Sequence, residues 1–171
     1  MSLKKSSLIL CLLFIIPLLC GCPYSSNVPL SASEDAEIDE TLLGDWTFVD
    51  KKGNRETEGG VITFIRFNDH EYLLVMKKGD EIARMRAFVT RIDGYQFLNW
   101  QEIKEYGRES RRYGFIEYKI TSKNEVLLRT VEGELFDEEF QSSEELFNFL
   151  KSNITNSKLY NDFGRLIRFV K

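Results

Sequence analysis

The sequence predicts a mainly β protein, an antiparallel up-and-down β-barrel of about eight strands with one C-terminal helix. From Leu42 onward, short runs rich in aromatic and β-branched residues are separated by Gly, Asn and Asp, a pattern typical of strands and turns. Asp93-Gly94 lies between two such runs and indicates a hairpin, because a two-residue type I′ turn needs positive φ at both positions. Further on, Ser142-Ser143-Glu144-Glu145 has the form of a helix capping box, which predicts the start of the helix.

The predicted strands are the runs 46–49, 61–67, 72–76, 82–92, 95–100, 113–121, 125–131 and 165–170. In the run 82–92, alternate residues such as Ala83 and Ala87 share one face, which favours a strand with one buried side. The run Tyr72–Met76 is apolar on both faces, so this strand is predicted to be covered on both sides. The helix is predicted over Ser143–Lys151, with one apolar face packed against the outside of the barrel.

The N-terminus has the pattern of an export signal. Lys4 and Lys5 precede the apolar run Leu8–Leu19, which is shorter than the roughly 20 residues that a membrane-spanning helix needs. The run ends in Leu19-Cys20-Gly21-Cys22, which resembles the lipobox of bacterial lipoproteins. This resemblance implies diacylglyceryl transfer to the Cys22 thiol, cleavage after Gly21 and acylation of the new amine, so that several chains anchor the protein. The alternatives are an ordinary secretory signal, or a short membrane helix with Cys22 unmodified.

The domain organisation that follows has three parts. Residues 1–21 are the signal peptide, residues 22–41 are the lipidated Cys22 with a flexible acidic tether, and residues 42–171 are the barrel domain. The tether is predicted because this stretch is small, polar and acidic and contains two prolines. The lipoprotein sorting rule implies the location: an aspartate after the cysteine retains a protein in the inner membrane, and here that position is Pro23. We therefore expect a lipid-anchored protein of the cell envelope, in the outer membrane and facing the periplasm if the host has two membranes.

Composition excludes several kinds of site. Cys11 and Cys20 leave with the leader, so the mature chain keeps Cys22 alone and has no disulfide, thiolate metal site or cysteine nucleophile. Loss of Lys4 and Lys5 lowers the basic residues from 23 to 21 against 27 acidic ones, and the net charge moves from −4 to −6. This charge argues against nucleic acid as a partner.

The residues Leu43-Gly44-Asp45-Trp46 at the start of the first strand match the Gly-x-Trp of the lipocalin-like barrels, part of the calycin group. A late helix followed by a last strand is similar to that family as well, over residues 42–171. The resemblance implies that the tryptophan closes one barrel end beneath an arginine near the chain's end, which Arg165 or Arg168 could supply. The barrel-closing candidates are therefore Gly44, Trp46 and Arg168, and the alternative is that Trp46 is only a core residue.

The match to the lipocalin-like family is incomplete. The family's usual disulfide is impossible here, and its Thr-Asp-Tyr type motif has no counterpart. The whole chain also resembles bacterial lipoproteins that begin with a lipobox, a short acidic tether and a Leu-Leu-Gly-x-Trp strand. That second resemblance supplies a family but no activity.

The sequence predicts that the protein is not an enzyme and binds no metal and no cofactor. His70 is the only histidine and lies between Asp69 and Glu71; adjacent strand residues point to opposite faces, so a polar turn is favoured over a weak metal site. The basic stretch Arg108–Arg112 is interpreted as a solvated loop rather than a phosphate site. Neither a glycine-rich phosphate loop nor a Gly-x-Ser-x-Gly elbow occurs. A carboxylate pair that meets only in space stays open.

Three functional hypotheses remain. The first is a binding module whose barrel takes a small apolar or amphipathic ligand. Its ligand-cavity candidates are Tyr72, Phe88, Phe97, Tyr113 and Phe115, with Ala83, Ala87 and Gly114 as small inward residues. The alternative is a structural or protein-interaction lipoprotein of the envelope, with a filled barrel and no ligand, that uses its surface or a strand edge. The third and weaker one is an enzyme with a spatially assembled site.

Overall fold

The computed structural model describes residues 23–49, 60–104, 112–136 and 139–169, with only the backbone of residues 162 and 163. These residues form one α-helix, α1 (Ser143–Asn153), and nine strands. The strands are β1 (Ser25–Ser26), β2 (Gly44–Val49), β3 (Val61–Arg66), β4 (Tyr72–Lys78), β5 (Glu81–Ile92), β6 (Tyr95–Glu102), β7 (Tyr113–Ser122), β8 (Glu125–Val131) and β9 (Tyr160–Arg168). From β2 to β9 each strand pairs antiparallel with the next, and β9 pairs back with β2. The predicted fold class, a closed up-and-down barrel with a late helix, is confirmed.

Most strand positions agree with the sequence pattern, and the last strand shows the largest difference. β9 begins at Tyr160, five residues before the predicted start, and ends at Arg168. Its first residues pair with Arg129, Thr130 and Val131 of β8. The strand therefore extends through Asn161 and Asp162, which have low β propensity, because the neighbouring strand supplies backbone partners. The predicted turn is confirmed, with φ of 48° at Asp93 and 86° at Gly94.

The closed sheet has an inner and an outer face, and each face carries its own hydrophobic core. The inner core takes side chains from every barrel strand, which places it inside the barrel. Its fully or nearly fully buried members on the strands are Trp46, Ile62, Phe64, Tyr72, Leu74, Ala87, Val89, Leu98, Tyr118, Val126, Leu128 and Leu166. Side chains of alternating residues along each strand reach this interior, as the period of two requires.

The outer core lies between β5–β8 and helix α1. Leu146 and Leu150 of the helix are fully buried there, together with Phe97 and Phe115 of the sheet. The helix begins where the Ser142 hydroxyl accepts a hydrogen bond from the Glu145 amide at 3.2 Å. The capping box thus starts the helix at the predicted residue, and the helix packs outside the barrel.

The stretch predicted to be a flexible tether is instead part of the folded domain, so this prediction was wrong for residues 23–41. Pro23 forms a β-bridge with Glu132, and β1 pairs with Tyr113 and Gly114 of β7. The chain then crosses the outer face of β6 and β5, where Leu30 is 1% exposed. The prediction relied on the polar composition of this stretch. Its few apolar side chains are nevertheless buried against the barrel, and its backbone groups form hydrogen bonds with the barrel. Residues 1–22, which hold the predicted signal and Cys22, lie outside the described residues.

The N-terminal segment, residues 23–42, connects the two ends of the barrel. At one end of the barrel β2 begins and β9 ends, and the 3-10 helix Glu40–Leu42 lies there. We call this the Trp46 end. The other end, where β8 ends, β7 begins and the β4–β5 turn lies, is the Pro23 end. The N-terminal segment therefore starts at the Pro23 end and finishes at the Trp46 end.

Candidate functional site

Trp46 and Arg168 form a stacked pair at the Trp46 end. The Trp46 side chain is fully buried, and its indole N–H donates to the Leu42 carbonyl at 2.7 Å. The guanidinium carbon of Arg168 lies 4.2 Å from the centre of the indole ring. The same guanidinium donates to the carbonyls of Leu43 at 2.9 Å and Thr41 at 2.8 Å. The last strand is thereby joined to the segment that covers this end.

Gly44 completes this arrangement. Its φ of +112° is one that residues with a side chain rarely adopt, and a Cβ there would lie 3.0 Å from a terminal nitrogen of Arg168. The structure thus brings Gly44, Trp46 and Arg168 together. Of the two candidate arginines, Arg168 is the one over Trp46, whereas Arg165 forms an ion pair with Glu125 at 3.0 Å. The odd separation of three positions along one strand explains why the two arginines face opposite sides.

Two tyrosines contact Asp39, just before the 3-10 helix at the Trp46 end. The Tyr72 hydroxyl accepts a hydrogen bond from the Asp39 amide at 2.5 Å, and the Tyr118 hydroxyl lies 3.4 Å from the Asp39 carboxylate. Burial raises the pKa of the Tyr72 phenol to about 12. Burial, and next the nearby Asp39 charge, also raise the pKa of Tyr118. Both phenols therefore stay neutral and hold the N-terminal segment over this end.

Exposure of the interior side chains changes along the barrel axis. Trp46, Tyr72 and Tyr118 near the Trp46 end are fully buried. Toward the Pro23 end Ile62 is buried, but several other inward-facing side chains are only partly buried: Phe48, Met76, Ala83, Met85 and Trp100. Apolar and aromatic surface therefore becomes accessible toward the Pro23 end of the interior.

Trp100 shapes the interior near the Pro23 end. A Cβ added to Gly114 would lie 2.4 Å from the Trp100 indole, so the ring rests directly on the glycine backbone. Gly114, predicted as a small inward residue, is thus covered by the neighbouring ring. Ala83 and Ala87 do face the interior, and of the two Ala83 is the more exposed.

The predicted ligand-cavity residues divide between the two faces. Tyr72 belongs to the inner core, whereas Phe88, Phe97, Tyr113 and Phe115 project to the outer face of the sheet. The five residues therefore do not line one cavity. Phe97 and Phe115 are buried beneath α1 and the N-terminal segment, and Phe88 meets the Tyr113 ring edge-on at 6.4 Å. Sequence alternation separates the two faces, but it does not say which of two apolar faces points inward.

Phe88 and Tyr113 instead border a small cleft on the outer face. The cleft has a volume of about 120 Å³ and is lined by Pro29, Ser33, Glu71, Arg86, Phe88, Gln101 and Tyr113. An ion pair of Arg86 and Glu71 at 2.5 Å occupies its polar side, and the Glu71 carboxylate also accepts from Asn68 at 2.8 Å. The cleft marks the junction between the N-terminal segment and strands β4–β6.

A buried asparagine that the sequence analysis did not single out fixes the N-terminal segment to the sheet. Asn99 is fully buried on the outer face, and its side-chain oxygen accepts from the Leu30 amide at 2.8 Å. Its amide nitrogen donates to Thr90 at 2.9 Å, and the Thr90 hydroxyl lies 2.6 Å from that of Ser31. The sequence did carry a signal for this residue, namely a single amide side chain inside the apolar run Phe97–Trp100. A polar group buried in such a run needs hydrogen-bond partners.

The polar residues considered for metal or phosphate binding have structural partners. A ring nitrogen of His70 lies 2.8 Å from the Ala36 carbonyl, and Glu71 pairs with Arg86. Arg112 donates to Ser25 and to Glu139, while residues 108–111 lie outside the described residues. Among the described residues, no helix has the length and apolar character needed to cross a membrane.

Comparison with known proteins gives no match to a family model, to a curated protein or to a solved structure.

Proposed function

We propose that this chain is an envelope lipoprotein, anchored through acylated Cys22, whose barrel binds a small apolar or amphipathic ligand through the Pro23 end. The observation that carries the binding role is the change in exposure along the interior. Side chains are fully buried around Trp46, while aromatic and thioether groups such as Trp100 and Met85 are partly exposed toward the Pro23 end. An apolar interior that is accessible from one end is the usual form of a ligand site in a small barrel.

The arrangement at the Trp46 end supports a lipocalin-like binding module. Gly44, Trp46 and Arg168 meet where the lipocalin resemblance implies, and the 3-10 helix Glu40–Leu42 lies across the same end. Because the interior is covered at the Trp46 end, a ligand would enter and leave at the Pro23 end. The anchor itself is supported by the lipobox Leu19-Cys20-Gly21-Cys22 and its apolar leader.

The first experiment is native mass spectrometry of the full chain, produced with its own leader and purified from the envelope of its host. We expect a discrete mass that denaturation releases, and a covalent mass increase on Cys22 that the Cys22→Ser variant lacks. Absence of any released mass contradicts the binding role, and an unmodified Cys22 contradicts the anchor.

A pair of adjacent substitutions tests the route to the interior. Ala83 faces the interior and is partly exposed, whereas its neighbour Ile82 points outward and is 49% exposed. Ala83→Phe fills the interior near the Pro23 end, so we expect it to weaken binding of a long-chain fatty acid probe about tenfold, or by about 1.4 kcal/mol. Ile82→Phe adds the same ring to the outside and serves as the control. Tryptophan emission from Trp100 reports binding, and equal affinities for the two variants contradict the proposed site.

A protein-interaction role is the second candidate, and an exposed apolar patch favours it. Ile65 is 44% exposed and Phe67 is 54% exposed on the outer face of β3 and just beyond it. Leu73 pairs with Ile65 across the sheet and is half-buried beside it. Cross-linking in the envelope would capture a partner that the double variant Ile65→Ser with Phe67→Ser loses. If no partner is captured and a bound ligand is found, the first candidate is favoured.

A further inference from the structure

We infer that the Pro23 end of the barrel faces the lipid bilayer to which Cys22 is attached; this inference rests on the proposed lipid anchor. Cys22 is followed directly by Pro23, which is bridged to Glu132 at the end of β8. The Tyr24 amide donates to the Val131 carbonyl at 2.8 Å. Consecutive Cα atoms are about 3.8 Å apart, so an acylated Cys22 holds this end close to the lipid headgroups.

The chain after the attachment point is fixed to the barrel. The Tyr24 ring stacks on Phe136 with the ring centres 3.6 Å apart and an angle of 11° between the planes. Ser25 pairs with Gly114, and its hydroxyl and carbonyl accept from Arg112 at 2.9 and 2.6 Å. Because the chain is paired with the barrel from Pro23 onward, the position of the attachment also restricts the orientation of the barrel.

The acidic residues of the N-terminal segment lie far from the attachment point. The acidic residues of the N-terminal segment, Glu34, Asp35, Glu37, Asp39 and Glu40, follow the part that crosses the sheet and lead to the Trp46 end. This part is held there by the His70 contact with the Ala36 carbonyl and by the ion pair of Glu37 with Arg91 at 3.4 Å. Because phospholipid surfaces are often anionic, carboxylates are repelled from them. In the inferred orientation these acidic residues lie away from the membrane, whereas Asp80, Glu81 and Glu134 at the Pro23 end lie near it, so the orientation rests on the attachment of the chain and not on charge.

This orientation specifies where a ligand enters and leaves. The partly exposed interior residues Phe48, Met85 and Trp100 lie toward the end that faces the bilayer. A hydrophobic ligand would pass between lipid and barrel with little exposure to water, which lowers the cost of transfer. The partner surface is thus the headgroup layer of a phospholipid bilayer.

Single-thiol labelling tests the orientation on the full-length lipoprotein. An introduced cysteine is the sole free thiol of the mature acylated chain, since Cys11 and Cys20 lie in the leader. Asp80→Cys places a fluorophore in the β4–β5 turn at the Pro23 end, and Asp69→Cys places one in the β3–β4 connection at the Trp46 end. Both positions are exposed aspartates, so the variants are matched. The labelled proteins are reconstituted in phosphatidylcholine vesicles that contain a lipid with a nitroxide quencher on its headgroup.

We expect about threefold or stronger quenching at position 80 than at position 69, because the two turns lie on the order of 20 Å apart along β4. A flexible Gly-Ser insertion of about twelve residues after Cys22 reaches roughly 20 Å and should remove most of the difference. Equal quenching without the insertion, or stronger quenching at position 69, overturns the orientation. Membrane retention of the Cys22→Ser variant is measured alongside. If that variant stays bound to the membrane as well as the parent, the proposed lipid anchor is wrong, and the orientation inferred from it is wrong too. If only the parent is retained, the anchor is supported, and the quenching result then tests the orientation by itself.

Discussion

Arg168 makes contacts with several elements besides its own strand. Its guanidinium stacks on Trp46 and donates to carbonyls of Thr41, Leu43 and Lys123. A planar group with several donors in fixed directions can make these bonds while lying over a ring, which lysine cannot do. The end of β9, the start of β2 and the β7–β8 turn are therefore tied together by one side chain.

Arg168→Met should lower the free energy of unfolding by about 2 to 4 kcal/mol, since it removes the stacking contact and leaves the partly buried carbonyls of Thr41 and Leu43 without this donor. Arg165→Met is the matched control on the same strand, where a partly exposed ion pair with Glu125 contributes about 1 kcal/mol or less. Urea denaturation followed by Trp46 emission in a Trp100→Phe background measures both losses. Equal losses for the two variants would show that the contacts of Arg168 add nothing beyond an ordinary ion pair.

Tyr72 gives the protein a specific sensitivity to alkaline pH. Burial raises the pKa of its phenol to about 12 in the folded state, against an ordinary value near 10. Between these values the unfolded chain loses a proton that the folded chain keeps. Stability is therefore complete below pH 10 and falls as the pH rises. Relative to Tyr72→Phe, the parent should lose about 1 kcal/mol more between pH 9 and pH 11. Urea midpoints across this range test the prediction, and parallel pH curves for the two proteins would contradict it.

At the scale of elements, the N-terminal segment behaves as an additional layer on the outer face of β5–β7. Its attachment depends on polar partners as much as on apolar burial, because Asn99 satisfies the Leu30 amide in a place that water does not reach. Tyr24 and Leu30 join Phe97, Phe115 and α1 in one outer core. The helix and the segment thus stabilise each other as well as the sheet.

Asn99→Ala should release the middle of the N-terminal segment, because the buried Leu30 amide then lacks an acceptor. We expect a loss of about 2 to 3 kcal/mol in the free energy of unfolding and faster hydrogen exchange at the Leu30 and Ser31 amides. Asn148→Ala on the exposed face of α1 is the control and should change the free energy of unfolding by less than about 0.5 kcal/mol. Unchanged exchange at Leu30 would mean that apolar contacts alone hold the segment.

For the whole molecule, the folded domain includes residues 23–41 and so begins no later than Pro23, rather than at residue 42. The segment before β2 contributes buried Leu30, Ala36 and Leu42, and the Leu42 carbonyl accepts from the Trp46 indole. Coverage of the Trp46 end therefore depends on residues that the composition assigned to a linker.

A chain that starts at residue 43 should be less stable than one that starts at residue 22 by on the order of 5 kcal/mol, from lost apolar burial and hydrogen bonds. This loss approaches the total stability of many domains, so the shorter chain should unfold at much lower urea concentration or fail to fold. Circular dichroism and Trp46 emission during urea denaturation compare the two chains. Equal midpoints would restore the linker interpretation of residues 23–42.

The amino-acid sequence was enough to predict the fold class, most strand positions, the Asp93-Gly94 turn and the start of α1. Each of these depends on local periodicity, turn geometry or capping, which neighbouring residues specify. It also singled out Gly44, Trp46 and Arg168, through a resemblance rather than through local pattern. The outward direction of four aromatic side chains could not be predicted, because a strand with two apolar faces has no local signal for its inner side; these residues are Phe88, Phe97, Tyr113 and Phe115. The packing of residues 23–42 was likewise decided by long-range partners such as Asn99, Glu132 and Gly114, which lie far away in the chain and adjacent only in the folded barrel.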